Sequence, residues 1–268
     1  MTREQFINAL DKKGYSYEIE GDKIIVTHRM TVELDHIRSL PPGVVFKCKW
    51  NVRSKSITSL PPDVEFENDG NVILDSLTSL PPGFEFRNNG RVHLESLTSI
   101  SPGVVFNNEG DVELESLTSI SPGVVFNNGG DVELKSLTSL PSGMEFNNSG
   151  DVDLRSLTSL PSGVMFKNGK NIWMKSLTSI SPGVEFRNKG LVNLESLTSL
   201  PPGVMFKNEG NVALSALTSL PPGVEFKNGG YVYLLELFGT TDIKWEGNIE
   251  GVDSKRLLNF MISKEMFI

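Results

Sequence analysis

The sequence predicts an all-β fold: a parallel β-solenoid of about eleven 20-residue coils with short helical caps at both ends. Three observations lead there. Residues 41–240 divide into ten units of 20 residues with the consensus P-P-G-V-x-F-x-N-x-G-x-V-x-L-x-S-L-T-S-L, and residues 21–40 form an eleventh, weaker unit. The run V-x-F-x-N-x-G-x-V-x-L alternates apolar and polar residues with period two, as strands do. No unit can bury its apolar side alone, but in a stack each Val, Phe and Leu lands on its counterpart one coil away.

The elements follow in chain order. Thr2-x-x-Gln5 is a capping-box pattern, opening a helix with Phe6, Ile7 and Leu10 on one face and Gly14 after its end. YSYEIEGDKIIVT then reads as a hairpin around Gly21 that feeds the first coil. Residues 1–20 thus cover one end of the solenoid, whose bare strand edge would template aggregation. Residues 21–240 are the repeat. Residues 241–268 are a second cap, with a helix begun by Asp253 or Ser254 and carrying Leu257, Leu258, Met261 and Ile262 inward.

Within a unit, counted from residue 41 as position 1, V-x-F and V-x-L are two short strands. Asn-x-Gly bends the chain between them. S-L-T-S-L is a third, shorter stretch ending at a Pro-Pro corner, because proline has no N–H for a central ladder. Gly at position 3 calls for a positive φ. Position 6 is Phe in all ten units, Phe46 to Phe226. Position 8 is Asn from Asn68 to Asn228, with Cys48 in its place in the first unit. These columns predict a stack of rings and an asparagine ladder.

LTSLPPGV with a preceding V-x-L resembles leucine-rich repeats, in which L-x-L forms a strand and L-x-x-L-P follows. The resemblance covers residues 21–240 and implies a compact arc as the alternative fold. Two features depart from it: Leu stands at position 17, as in Leu117, where that family has Asn, and 20 residues leave no room for a convex-side helix. The layout is also similar to short-repeat β-solenoids encoded by phages and prophages.

Composition narrows function. The 268 residues are 38% hydrophobic and 22% charged, with net charge −8. This is an ordinary globular composition, and its acidity argues against a general nucleic-acid binder. The first residues do not form a secretory signal, and no apolar run approaches a membrane span. One cysteine, Cys48, permits no intrachain disulfide. A cytoplasmic location is expected, in the host cell if a phage encodes the chain. His28, His36 and His93 fall in different coils, and there is no paired-cysteine pattern, nucleophile elbow or phosphate loop. The expectation is therefore a non-enzymatic protein with no cofactor and no metal.

Positions 5, 7, 9, 11, 13 and 15 vary, and alternation points them outward. Asp111, Glu113 and Glu115, then Asp131 and Glu133, then Asp151 and Asp153 form an acidic block in register, with Lys135 and Arg155 on the adjoining row. Like charges about 5 Å apart cost on the order of 1 kcal/mol each before screening. The block suits a basic protein surface or a cation such as calcium. Recent duplication is the plainer account, since units 101–120 and 121–140 differ at three positions. Met165, Trp173, Met205 and Tyr233, with Ala213, add an apolar tendency of the kind found in interface cores. Lys47, Lys49, Arg53 and Lys55 with Trp50 read as solvated surface. The sequence thus suggests a protein-binding solenoid, in the phage reading a modulator of a host or defence protein. An ice-binding face of Ser-x-Thr rows and a structural spacer or virion component, with self-association, are the alternatives.

Overall fold

Thr2 begins the one described helix. Its hydroxyl accepts the Gln5 N–H at 3.2 Å while the Gln5 side chain accepts the Thr2 N–H at 2.9 Å. The helix, α1 (Arg3–Lys13), buries Phe6 and Leu10 and stops at Gly14, whose φ of 68° is left-handed. A hairpin of β1 (Tyr17–Glu20) and β2 (Lys23–Val26) follows, the only antiparallel pair among the described residues. β2 then pairs in parallel with the first full coil, Ile24 beside Val44. The computed structural model describes residues 1–221 and 223–234, so the predicted C-terminal cap, 241–268, lies outside the described residues.

The chain divides into two units, residues 1–137 with 147–150, and residues 138–146 with the part after 150. Each is a parallel β-solenoid with strands in both halves of the repeat, which sets the leucine-rich-repeat arc aside. The first strand occupies positions 5–6 and the second positions 12–13. Both pair with the same positions 20 residues away, as Phe106 does with Phe86 and Phe126, and Val112 with Val92 and Val132. The second unit repeats this register in Phe166 beside Phe186 and Ile172 beside Val192.

The third stretch is a paired strand only in places. Ser99–Ile100 pairs with Ser119–Ile120, and Ser159–Leu160 with Ser179–Ile180. In each case the upper strand runs into serine at position 1, not proline. The Ser121 N–H then reaches Ile100 O at 3.1 Å, and the Ser181 N–H reaches Leu160 O at 2.8 Å. Proline at that position has no such donor.

The core is the set of repeated columns. Positions 4, 6, 12, 14, 17 and 20 are buried in nearly every described coil. The rings of Phe86, Phe106 and Phe126 lie nearly parallel, with centroids 5.4 and 5.1 Å apart. Phe166, Phe186 and Phe206 do the same at 5.5 and 5.0 Å. These distances slightly exceed the strand spacing of about 4.8 Å, as for rings that are offset as they stack.

Glycines at two positions of the repeat serve different ends. At position 3, Gly103 and Gly163 both have φ of 73°, which side-chain-bearing residues rarely adopt. At position 10 the reason is space: a Cβ on Gly110 would lie 2.5 Å from Arg91 N and 2.6 Å from Gly90 C. That close approach builds the asparagine ladder. The Asn108 amide nitrogen donates to Gly110 O at 2.9 Å, Asp111 O at 3.2 Å and, one coil back, Gly90 O at 3.1 Å. The rungs therefore run from side chain to backbone rather than from amide to amide. In the first coil the buried Cys48 thiol takes the same place, donating to Trp50 O at 3.4 Å.

Candidate partner-binding face

Alternation leaves two outward rows, one on each sheet. On the first sheet, position 5 carries only three residue types: Val45, Glu65, Glu85, Val105 and Val125 in one unit, Glu145, Met165, Glu185, Met205 and Glu225 in the other. Its glutamates are answered by lysine or arginine two residues on or one or two coils away. Arg87 holds Glu85 at 2.6 Å, Lys167 holds Glu145 at 2.9 Å, and Lys227 holds Glu225 at 2.8 Å. The Arg87 hydrogen bond keeps the Glu85 carboxyl below its usual range, against the effect of partial burial. Exposed pairs of this kind contribute about 0–1 kcal/mol each. They neutralise the row and leave little that is distinctive.

The second sheet differs. Position 13 runs Arg53, Ile73, His93, Glu113, Glu133 in the first unit and Asp153, Trp173, Asn193, Ala213, Tyr233 in the second, nine residue types over an almost constant core. The predicted acidic block follows this sheet, at positions 11, 13 and, in Glu115, 15.

Position 11 has a structural duty. Asp111 Oδ1 accepts the Asp131 N–H at 2.8 Å. Asn51 and Asn71 serve the next coil in the same way at 2.8 and 2.9 Å. In the second unit Asp151, Asn171 and Asn211 repeat it at 2.9, 2.9 and 2.8 Å. Asp111 and Asp151 are therefore rungs of the fold, not freely varying outward charges.

Position 13 in the block is balanced in part. Strand pairing sets Glu113 beside Glu133. The two carboxylates then bond different neighbours. Glu113 takes Arg91 Nη1 and His93 Nδ1, both at 2.7 Å, while Glu133 takes Lys135 Nζ at 2.6 Å. Burial alone would raise the Glu113 pKa, but the Arg91 and His93 hydrogen bonds outweigh it and hold the carboxyl below its usual value. Lys135 also reaches Glu115 at 3.3 Å, and its hydrogen bond with Glu133 raises its own pKa. Glu95 and Glu115 remain exposed, and acid outweighs base across the second-sheet face of residues 91–135. Asp153, by contrast, is buried under a bidentate hold from Arg155.

The predicted apolar residues are not gathered into one patch. Met165 and Met205 belong to the first sheet, with Glu185 between them, whereas Trp173 and Tyr233 belong to the second, with Asn193 and Ala213 between them. Trp173 is half-buried and its indole N–H donates to Asp151 Oδ2 at 3.2 Å. Tyr233 and Tyr231 are exposed with rings 6.4 Å apart. Trp50 and Met30 are more exposed still, at 57% and 68%. Part of the Ser-x-Thr rows is engaged within the fold. Ser76 Oγ donates to Lys55 O at 2.7 Å, and Thr118 Oγ1 to Thr98 O at 3.1 Å.

Stacking also brings together residues that the linear sequence keeps apart. Asp75 and Glu95 hold position 15 in neighbouring coils and His93 holds position 13. Their ligand-type atoms lie within 4.8 Å of one another, the only such group of three among the described residues. The local signal is His93-Leu94-Glu95, but Asp75 enters only when residues 20 apart are laid side by side. Among the described residues no helix is long and apolar enough to cross a membrane. Comparison of the chain with family models, with curated proteins and with solved structures gives no match.

Proposed function

We propose that the chain is a non-enzymatic protein-binding solenoid, that its second sheet is the recognition face, and that its partner offers a basic surface. One observation carries this reading: position 13 varies through nine residue types while position 5, on the opposite sheet and over the same core, varies through three. Packing constraints on the two rows are alike, so the difference points to a demand from outside the fold. The acidic excess around Glu95, Glu115 and Glu133 gives that face its charge, and a charged face steers a complementary partner and fixes its register. The finer reading, a phage-encoded modulator of a host or defence protein, rests on the similarity of layout to phage solenoids alone.

The test is affinity capture from host lysate with two charge-reversed variants. Glu115→Lys/Glu133→Lys, on the second sheet, is expected to lose a partner retained by the parent protein. Glu65→Lys/Glu85→Lys, on the first sheet, is expected to keep it. Equal capture by both variants would remove the acidic face from the account.

A further inference from the structure

We propose that Asp75, His93 and Glu95 form a binding site for a divalent transition-metal ion of the zinc class. The proposal is independent of the protein-binding reading, although the site lies on the same sheet.

The geometry begins with the histidine. His93 Nδ1 lies 2.7 Å from Glu113 Oε2, and Glu113 is itself fixed by Arg91 at 2.7 Å. In its neutral form, a ring that donates Nδ1–H to a carboxylate presents Nε2 as a lone pair, the outer-shell arrangement that orients metal-binding imidazoles. Nε2 faces Asp75 Oδ1 at 3.7 Å. That is too long for a hydrogen bond. It is close to the spacing of two ligands on one ion, since ligands about 2.1 Å from tetrahedral zinc stand about 3.4 Å apart.

The second observation concerns Asp75 itself. Its Oδ1 is out of contact with solvent and has no hydrogen-bond donor. The other described side-chain oxygens in that condition are the neutral amide oxygens of the asparagine column; Asp75 contributes the one carboxylate. The Asp75 side chain is 23% exposed, so its charge keeps part of its solvation, but a cation at Oδ1 would supply the partner that this oxygen lacks. Glu95, exposed and with no ion pair among the described residues, brings a third ligand from the same strand end as His93. One imidazole and two carboxylates suit zinc, cobalt or nickel, whereas calcium and magnesium take oxygen donors. The proposal departs from the expectation of no metal, which is drawn from the linear sequence, where a ligand set assembled across two coils does not show.

The test uses the full chain, purified in the absence of chelator, titrated with Co2+ and followed by visible absorption, with Zn2+ added to displace it. One saturable Co2+ per chain is expected, released by equimolar Zn2+. His93→Gln is expected to abolish the band. Glu95→Gln, an exposed change that leaves packing intact, is expected to weaken binding more than tenfold. Glu113→Gln, which frees the imidazole without removing a ligand, is expected to weaken it by about 10–100-fold. His28→Gln and His36→Gln are expected to bind as the parent does. Absence of a saturable band would mean that the cluster is an ion-pair network only and would overturn the proposal. So would a band that survives both Glu95→Gln and His93→Gln.

Discussion

Asp111 Oδ1 accepts the backbone N–H of Asp131, one coil further on, at 2.8 Å. The bond makes an apparent member of an acidic patch into a rung of the scaffold. Asn at the same position does the same work elsewhere, so the acceptor oxygen matters and the charge does not. Asp111→Asn is therefore expected to leave stability within about 0.5 kcal/mol of the parent. Asp111→Ala strands the Asp131 N–H and is expected to cost about 1–3 kcal/mol. Urea unfolding of the two variants checks this, and equal losses would show that charge governs the site.

The asparagine column predicts a larger effect. Asn128 Nδ2 serves Gly110 O and Gly130 O at 3.1 and 3.0 Å and Asp131 O at 3.1 Å. Alanine at 128 leaves three carbonyls without this donor in a space that the apolar column beside it closes. A loss of more than about 2 kcal/mol is expected in the same unfolding assay.

The ring stack is the third case. Phe106 is fully buried between Phe86 and Phe126. Phe106→Ala removes a large side chain and two ring contacts, for an expected cost of about 3–5 kcal/mol. Phe106→Leu keeps most of the volume, so it isolates the ring contacts and is expected to cost about 1–3 kcal/mol. Identical midpoints for Leu and the parent would mean that the stack contributes only area.

Much of this was legible in the sequence because a solenoid repeats its constraints. A buried column such as Val92, Val112 and Val132 shows itself by not changing, and Gly103 and Gly163 stand where φ must be positive. The capping box at Thr2 and Gln5 is a local signal and needs no tertiary context. Less legible were relations across coils. Alternation says that Asp111 points outward, but not that its carboxylate reaches the next strand's N–H. It places both Met165 and Trp173 outside, but the Asn-x-Gly bend between positions 5 and 13 sends them to different sheets. The Asp75, His93 and Glu95 cluster was hidden for the same reason: its members are 18 and 2 residues apart in sequence and adjacent only once coils stack.

The corner residues test a balance between two small effects. Ser121 donates its N–H to Ile100 O, a bond proline would remove at about 0.5–1.5 kcal/mol. Proline also restricts the unfolded chain, a gain of about 0.4–1 kcal/mol where its φ fits, and proline holds this position in seven of the ten units. The terms nearly cancel, so Ser121→Pro is expected to shift stability by less than about 1 kcal/mol. A larger loss would show that the local strand at Ser119–Ile120 carries more than its hydrogen bond.

Cys48 gives a pH dependence with a definite sign. Burial pushes its thiol from the ordinary range up to about 11. Between the ordinary thiol pKa and about 11 the unfolded chain loses this proton while the folded chain keeps it. The unfolded state then binds fewer protons than the native state, so this contribution to stability falls as pH rises through that window and is fully present below it. Cys48→Asn should lack the fall. It should also place an amide donor where Asn68 and Asn88 already use one to reach the position-10 carbonyls. At pH 8 the native thiol is expected to resist a water-soluble disulfide reagent until the chain unfolds. Comparing urea midpoints of the parent and Cys48→Asn at pH 8 and pH 10.5 isolates the thiol from the lysines and tyrosines that both proteins share. Parallel midpoints at the two pH values would mean that the thiol ionises as freely in the fold as outside it.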